Sequence, residues 1–333
     1  MSKLTIGKLH GLQQIADPDG VLRVTAVDHR TSLRKLLEKG APGETIGFAR
    51  LVAEKLRLVH ALAPFSSAVL LDPVHGAAQA VAAGAIPGDR GLLVSLEDSG
   101  YEGDSECRTT KLTPGWSVSK IKRMGAAVVK LLLHYHPHAA SAHRQEDLVK
   151  RVAEECRQND IAFLLEPFSY PIRAGQEKQS AAFAKEKPEI VIESARRLAG
   201  LGIDLLRAEF PDDPHFEQDE HRMRANCRAL TMSTPVPWVI HSSGEPFALF
   251  ERMLQAACQE GASGFLVGRA IWQEGMALPE AAARDRFLKT TATSRLRKLS
   301  AIATAFARPW TWRAGLGNPV EEGWQEHYAE VAS

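Results

Sequence analysis

Cysteine is scarce in this sequence: 333 residues hold four, Cys107, Cys156, Cys227 and Cys258, far apart and without a C-x-x-C pair. Such spacing builds neither a zinc ribbon nor a disulfide framework and fits a reducing, cytoplasmic setting. An excess of one charge is missing too. Lysine plus arginine number 41 against 40 aspartate plus glutamate, a formal charge of +1, so nothing points to nucleic acid or an anionic membrane as partner. No apolar run approaches the ~20 residues of a spanning helix, and the opening MSKLTIGKLHGLQQIADPDG lacks a signal-peptide core. The expectation is a soluble, unprocessed chain whose anion sites are local. No G-x-G-x-x-G follows the first apolar run, which argues against a dinucleotide site.

What the chain does have is a series of short runs rich in Val, Ile, Leu and Phe, at 21–28, 66–73, 91–98, 126–135, 161–170, 203–210, 236–243 and 264–271. They are almost continuously apolar, as strands buried on both faces are. Between most of them lie helix-length segments with apolar residues at three- and four-residue spacing, such as 43–63 and 146–160. That alternation predicts parallel βαβ units. Eight strands in about 250 residues fit a single-domain (β/α)8 TIM barrel better than an open doubly wound sheet. The barrel is expected over residues 1–305. The tail 306–333 carries three of the six tryptophans and is expected to pack on the barrel or at a subunit interface. The stretch 100–116, after the third strand, is the longest candidate loop and is placed to close over a ligand.

In a (β/α)8 barrel the C-terminal strand ends and the loops beyond them form the active site. Here those ends carry Asp28, His29 and Arg30; Asp72; Glu97 and Asp98; Lys130 and His134; Glu166; Arg207 and Glu209; Ser242 and Ser243; and Arg269. Lys130 and Glu166 interrupt the apolar runs AVVKLLL and FLLEPF. Unpaired burial there costs several kcal/mol, so each needs a counter-charge or a ligand. An ion-pair network that merely fills the barrel explains any one of these residues as well as a site does, but four together at strand ends favour a site. HSSGEP and VGRAIW form a second constellation. Gly244 and Gly268 let backbone N–H groups approach an anion, Ser242 and Ser243 add hydroxyl donors, and Arg269 adds a forked cation. HYHPH, residues 134–138, invites a metal reading, but Pro137 ends the strand and Lys130 competes for the same space. No metal and no cofactor is expected.

TAVDHRTSLRKLL, VLLDPVHG, SLEDSGYEGD, AAVVKLLLHY, FLLEPFSY, IDLLRAEFP, HSSGE, FLVGRAIW and TTATS follow one another from about residue 20 to residue 295. In order and spacing they resemble the tagatose 1,6-bisphosphate aldolase family, together with the related class I sulfofructose-phosphate aldolases. The resemblance implies a metal-independent barrel enzyme that cleaves a phosphorylated ketose into dihydroxyacetone phosphate and an aldehyde through a lysine Schiff base. It also implies roles: Glu166 as general acid/base, Lys130 as auxiliary cation, Asp28 as the carboxylate near the cleaved bond, and Ser242, Ser243, Gly244, Gly268 and Arg269 as the phosphate-binding set. His29 and Arg30 fall beside them, His29 where the family usually has Gln. A homo-oligomer is expected.

At strand 6 this sequence departs from the family form D-[VL]-L-K-x-[ED]. It reads DLLRAE, which puts Arg207 at the Schiff base lysine. A guanidinium stays protonated and forms no useful imine. Three expectations follow. In the first, Lys130 becomes the imine lysine, as in transaldolases, which carry theirs on strand 4, and Arg207 lowers its pKa. In the second, a sugar-phosphate isomerase or epimerase uses Arg207 as an anion clamp. In the third, an inactive member binds a sugar phosphate. The first is the reading adopted.

Overall fold

A computed structural model describes residues 4–314 and 320–328. The strands are β1 (Leu22–Ala26), β2 (Ala68–Leu71), β3 (Gly91–Ser95), β4 (Val128–His134), β5 (Ala162–Phe168), β6 (Leu205–Ala208), β7 (Trp238–His241) and β8 (Gly264–Val267). All pair in parallel in chain order, and β8 returns to β1 to close the barrel. Each predicted run contains its strand, trimmed at the ends.

Side chains alternate along a strand, and the parity of each strand is fixed by which residues fill the barrel. Leu22, Val24, Ala26, Ala68, Leu70, Leu93, Val128, Leu164, Leu205, Val239 and Leu266 form one apolar cluster, the interior of the barrel. Steps of two along seven of these strands lead to Asp28, Glu97, Lys130, Glu166, Arg207, His241 and Gly268; on β2, which ends at Leu71, the same step reaches Asp72, which pairs with Lys55 instead. The interior is therefore apolar below and charged above. The opposite parity, including Val129, Leu131, Phe163, Leu165, Leu206 and Ile240, packs with the surrounding helices in the second core cluster.

Helix Phe48–Leu62 shows how a sequence stripe serves both layers. Leu51, Leu58, Val59 and Leu62 bury against the barrel at helical spacing. Lys55 lies on the same face and bonds the Asp72 carboxylate and, at 2.7 Å, the Val27 carbonyl. The run predicted from residue 43 becomes helical only at Phe48, after Gly47.

The far end of the barrel is sealed by helix Ile6–Ile15, which contributes Leu12 and Ile15 to the interior cluster, and by Trp310 from the tail. Trp310 is 2% exposed, and its N–H bonds the Gly20 carbonyl at 2.9 Å. Residues 315–319 and 329–333 of the predicted tail lie outside the described residues. Among the described residues no helix is long and apolar enough to cross a membrane.

Candidate active site

Four strands converge on one ammonium. Lys130 Nζ, on β4, lies 3.0 Å from Asp28 Oδ2, 2.5 Å from Glu97 Oε1 and 2.9 Å from Glu166 Oε2. Arg207, on β6, donates from Nη1 to the same Glu166 oxygen at 2.7 Å and from Nη2 to the Leu266 carbonyl at 3.3 Å. Three carboxylates against two cations leave this buried cluster with one net negative charge. The structure thus joins all four residues read as catalytic, Asp28, Lys130, Glu166 and Arg207, in one connected network.

Burial opposes the charge on Lys130, but Glu166, Glu97 and Asp28 together outweigh it and push its pKa above the ordinary lysine value. Arg207 does act to lower it, as expected from the sequence, but one cation does not offset three carboxylates at contact distance. The balance of these groups favours the ammonium form of Lys130. For Glu166 and Asp28, burial raises the pKa, but the neighbouring cations prevail and both carboxyls are held below their ordinary values.

Glu97 is the residue that reading the sequence left without a role. Its Oε2 accepts the Leu132 N–H at 3.0 Å while Oε1 meets Lys130, so the carboxylate spans β3 and β4. Its parity with Leu93 is the signal that finds it. Asp72, equally prominent in the sequence, belongs elsewhere: it accepts N–H groups from Val74 at 3.0 Å and His75 at 2.8 Å and pairs with Lys55 behind the strands. Arg30 is engaged as a brace between loops, with Nη2 on the Glu97 carbonyl at 2.6 Å and Nη1 on Asp98 at 3.0 Å.

The second constellation gathers at the ends of β7 and β8. Ser243 takes φ +50° and Gly244 φ +89°, a left-handed pair that folds the chain back at the barrel mouth. Arg269 heads helix Arg269–Met276 rather than ending β8, and its Nη2 donates to the Ser243 carbonyl at 3.0 Å. A Cβ on Gly244 would lie 2.7 Å from Arg269 Cζ, so the turn and the guanidinium fit only because that side chain is absent. Gly268 leaves room for His29 in the same way, since a Cβ there would sit 2.6 Å from the imidazole Cε1. The His29 ring packs edge-on against Trp272 at 5.1 Å. Burial holds its pKa down to about 3, against the pull of Asp28. Ser242 is buried beside this turn, and its carbonyl accepts the Glu245 N–H at 2.8 Å.

The loop after β3 leaves as a short antiparallel excursion, bridged at Glu97 with Leu112 and at Glu102 with Thr109. Arg108 on this loop stacks on the rings of Tyr101 and Tyr170, 4.5 and 4.8 Å from their centroids. The histidines of HYHPH separate: His134 packs with Tyr101 and Phe168, and His136 with His138 and Tyr170. Among the described residues no three His, Cys, Asp or Glu side chains converge as metal ligands. A cleft of about 810 Å³ opens at the opposite, sealed end, between Asp17, Arg23, Arg90 and Trp310. The strand-end chemistry does not reach it.

Residues 23–274 match the model of the DeoC/LacD family aldolases. The chain is 30% identical over 329 residues to a tagatose 1,6-diphosphate aldolase of Streptococcus agalactiae serotype V, covering 93% of this chain and 99% of that one. With a tagatose 1,6-diphosphate aldolase of Listeria monocytogenes serotype 4a it shares 29% over 340 residues, covering 95% and 97%. Among solved structures, a fructose-bisphosphate aldolase from Plasmodium falciparum superposes with a TM-score of 0.67 at 14% identity, over 92% of this chain and 98% of that one. One from Slackia heliotrinireducens does so with a TM-score of 0.62 at 12% identity, over 90% of each. These two likenesses speak to the fold. With a family match running from β1 into the helix after β8, and full-length relatives that are aldolases, the chain belongs to the DeoC/LacD aldolase family.

Proposed function

We propose that the chain is a class I lyase that reversibly cleaves a phosphorylated ketose into dihydroxyacetone phosphate, or a related ketone, and an aldehyde, with Lys130 as the imine-forming lysine. The observation that carries this reading is the Lys130 ammonium set among three carboxylates at the top of the barrel interior. The full-length relatives, tagatose 1,6-diphosphate aldolases, support the substrate class.

Imine formation needs the free amine. Glu166, 2.9 Å from Nζ, is placed to take the ammonium proton. The nitrogen lone pair then bonds the C2 carbonyl carbon and the carbonyl π electrons move to oxygen, which takes the proton held by Glu166 to give a carbinolamine; Glu166 then takes a second proton from the nitrogen and passes it to the C2 hydroxyl, and the nitrogen lone pair expels that oxygen as water. The resulting iminium is an electron sink. Asp28 removes the C4 hydroxyl proton, the C3–C4 bonding pair flows into the iminium, and the aldehyde departs, leaving an enamine. Protonation at C3 and hydrolysis release the ketone and restore Lys130. Arg207 keeps Glu166 oriented throughout, and the Ser243–Gly244 turn with Arg269 holds the phosphate. Borohydride with dihydroxyacetone phosphate should trap a covalent adduct on Lys130 and none in K130A. A wild type that never traps, or a K130A protein that still does, ends this reading.

The resting ammonium favours one second reading: an isomerase or epimerase in which Lys130 polarises the carbonyl and Glu166 moves the proton. Solvent deuterium entering the sugar during borohydride-insensitive turnover distinguishes it. Arg207 has two of its nitrogens on Glu166 and Leu266, which weighs against its use as an anion clamp.

A further inference from the structure

His241 ends β7 on the inward face, one step above Val239, and is 2% exposed. Its ring lies 6.3 Å from that of Phe168, itself one inward step beyond Glu166 on β5. Nδ1 accepts the Ser243 backbone N–H at 3.1 Å, so the neutral ring carries its proton on Nε2. Nε2 is buried and has no hydrogen-bond partner among the described residues. The charged groups acting on the ring are Glu166 and Glu209 on one side of the balance, Arg207 and Lys178 on the other. Burial dominates, against the pull of Glu166 and with the push of Arg207, and brings the pKa down to about 4. The ring is therefore a fixed, neutral N–H donor at pH 7.

A buried donor left unpaired is destabilising and calls for an acceptor that arrives from outside. The position restricts that acceptor. His241 stands between the Lys130–Glu166 cluster and the Ser243–Arg269 turn, two residues before the latter. Two carboxylates, Glu166 and Glu209, are offset there by two cations, Arg207 and Lys178, so the surroundings supply no net charge to hold an anion, and a hydroxyl or carbonyl oxygen matches the neutral donor. We propose that His241 Nε2–H is a specificity-determining contact to an uncharged oxygen of the ketone half of the substrate, between the carbon that reacts with Lys130 and the phosphate at Arg269. This inference rests on the ketose-phosphate reading above.

The test uses the full chain and calorimetric titration with two probes, dihydroxyacetone phosphate and inorganic phosphate. Asparagine places a polar atom where Nδ1 was and nothing where Nε2 was; glutamine places an N–H near Nε2. H241N is expected to bind dihydroxyacetone phosphate about tenfold more weakly, the equivalent of one hydrogen bond, with phosphate affinity unchanged, and H241Q to stay near wild type. The proposal is overturned if H241N binds dihydroxyacetone phosphate as wild type does, or if H241Q is as weak as H241N. It is equally overturned if H241N loses both probes by the same factor, which would make the ring a prop for the phosphate turn. Trapping at Lys130 is scored separately in wild type, so failure of the imine leaves the His241 result readable.

Discussion

Lys130 and Arg207 share one oxygen of Glu166, and that sharing defines the chemistry available at the site. A cation in contact with Glu166 stabilises its carboxylate form, while the two other carboxylates stabilise the Lys130 ammonium. The resting site is locked as ion pairs, and substrate must break them. Glu97 is the sharpest lever. E97Q preserves shape and an acceptor for the Leu132 N–H but removes one of the charges that raise the Lys130 pKa. The Lys130 pKa should fall, and the rise of borohydride trapping with pH should move to lower pH than in wild type. An unmoved profile would show that Glu97 does not govern the lysine. That an arginine, Arg207, stands in the sixth apolar run was legible from the sequence. That it is tied to Glu166 and Leu266 was not, because partners 41 and 59 residues away are set by the barrel register.

At the scale of elements, the strands are apolar in their lower half and most carry a charged residue at the tip. The apolar runs announced all eight strands, and alternation from the interior cluster outward supplies the inward set, including His241, but not Asp72, which follows Leu70 by two yet pairs with Lys55. Less legible were the turns. Arg269 read as a strand end but opens a helix, because Gly268 breaks the strand and the chain turns there. The β7 turn depends on φ values that side chains resist. In G244A the new methyl meets both a positive φ of +89° and the Arg269 guanidinium at 2.7 Å, a strain of about 1–3 kcal/mol. Arg269 should be displaced, raising KM for a phosphorylated ketose by about tenfold. Trapping of unphosphorylated dihydroxyacetone should be unaffected. Equal loss with both substrates would show that the turn does not serve the phosphate.

For the whole molecule, the two ends of the barrel differ in what holds them together. Trp310 and helix Ile6–Ile15 close the far end with apolar contacts, while the mouth is charged. W310A should cost about 3–5 kcal/mol, read by urea unfolding, and leave kcat per folded molecule unchanged; a fall in kcat would couple the two ends. Four histidines make stability depend on pH. His29, His134, His136 and His241 have an ordinary pKa of 6.5 and are held at about 3, 4, 4 and 4, in each case chiefly by burial. Between those limits the unfolded chain binds protons that the folded one does not, so stability is full above pH 6.5 and falls as pH drops toward 4. Urea midpoints at pH 7.5 and 5.5 should show the decline, and equal midpoints would place these rings in water.

Periodicity, strand count and the residue types at strand ends are local properties, and the sequence by itself determined them: a (β/α)8 barrel, its active end, and the absence of a lysine at strand 6. Which end residues touch is a property of closure. Only when β8 pairs with β1 do Asp28, Glu97, Lys130, Glu166 and Arg207 face one another across the interior. Electrostatic energies depend on distance and burial, neither of which a linear chain records. The tertiary structure therefore decided that three carboxylates surround Lys130, that Asp72 pairs with Lys55, and that His241 Nε2 is buried with no partner among the described residues.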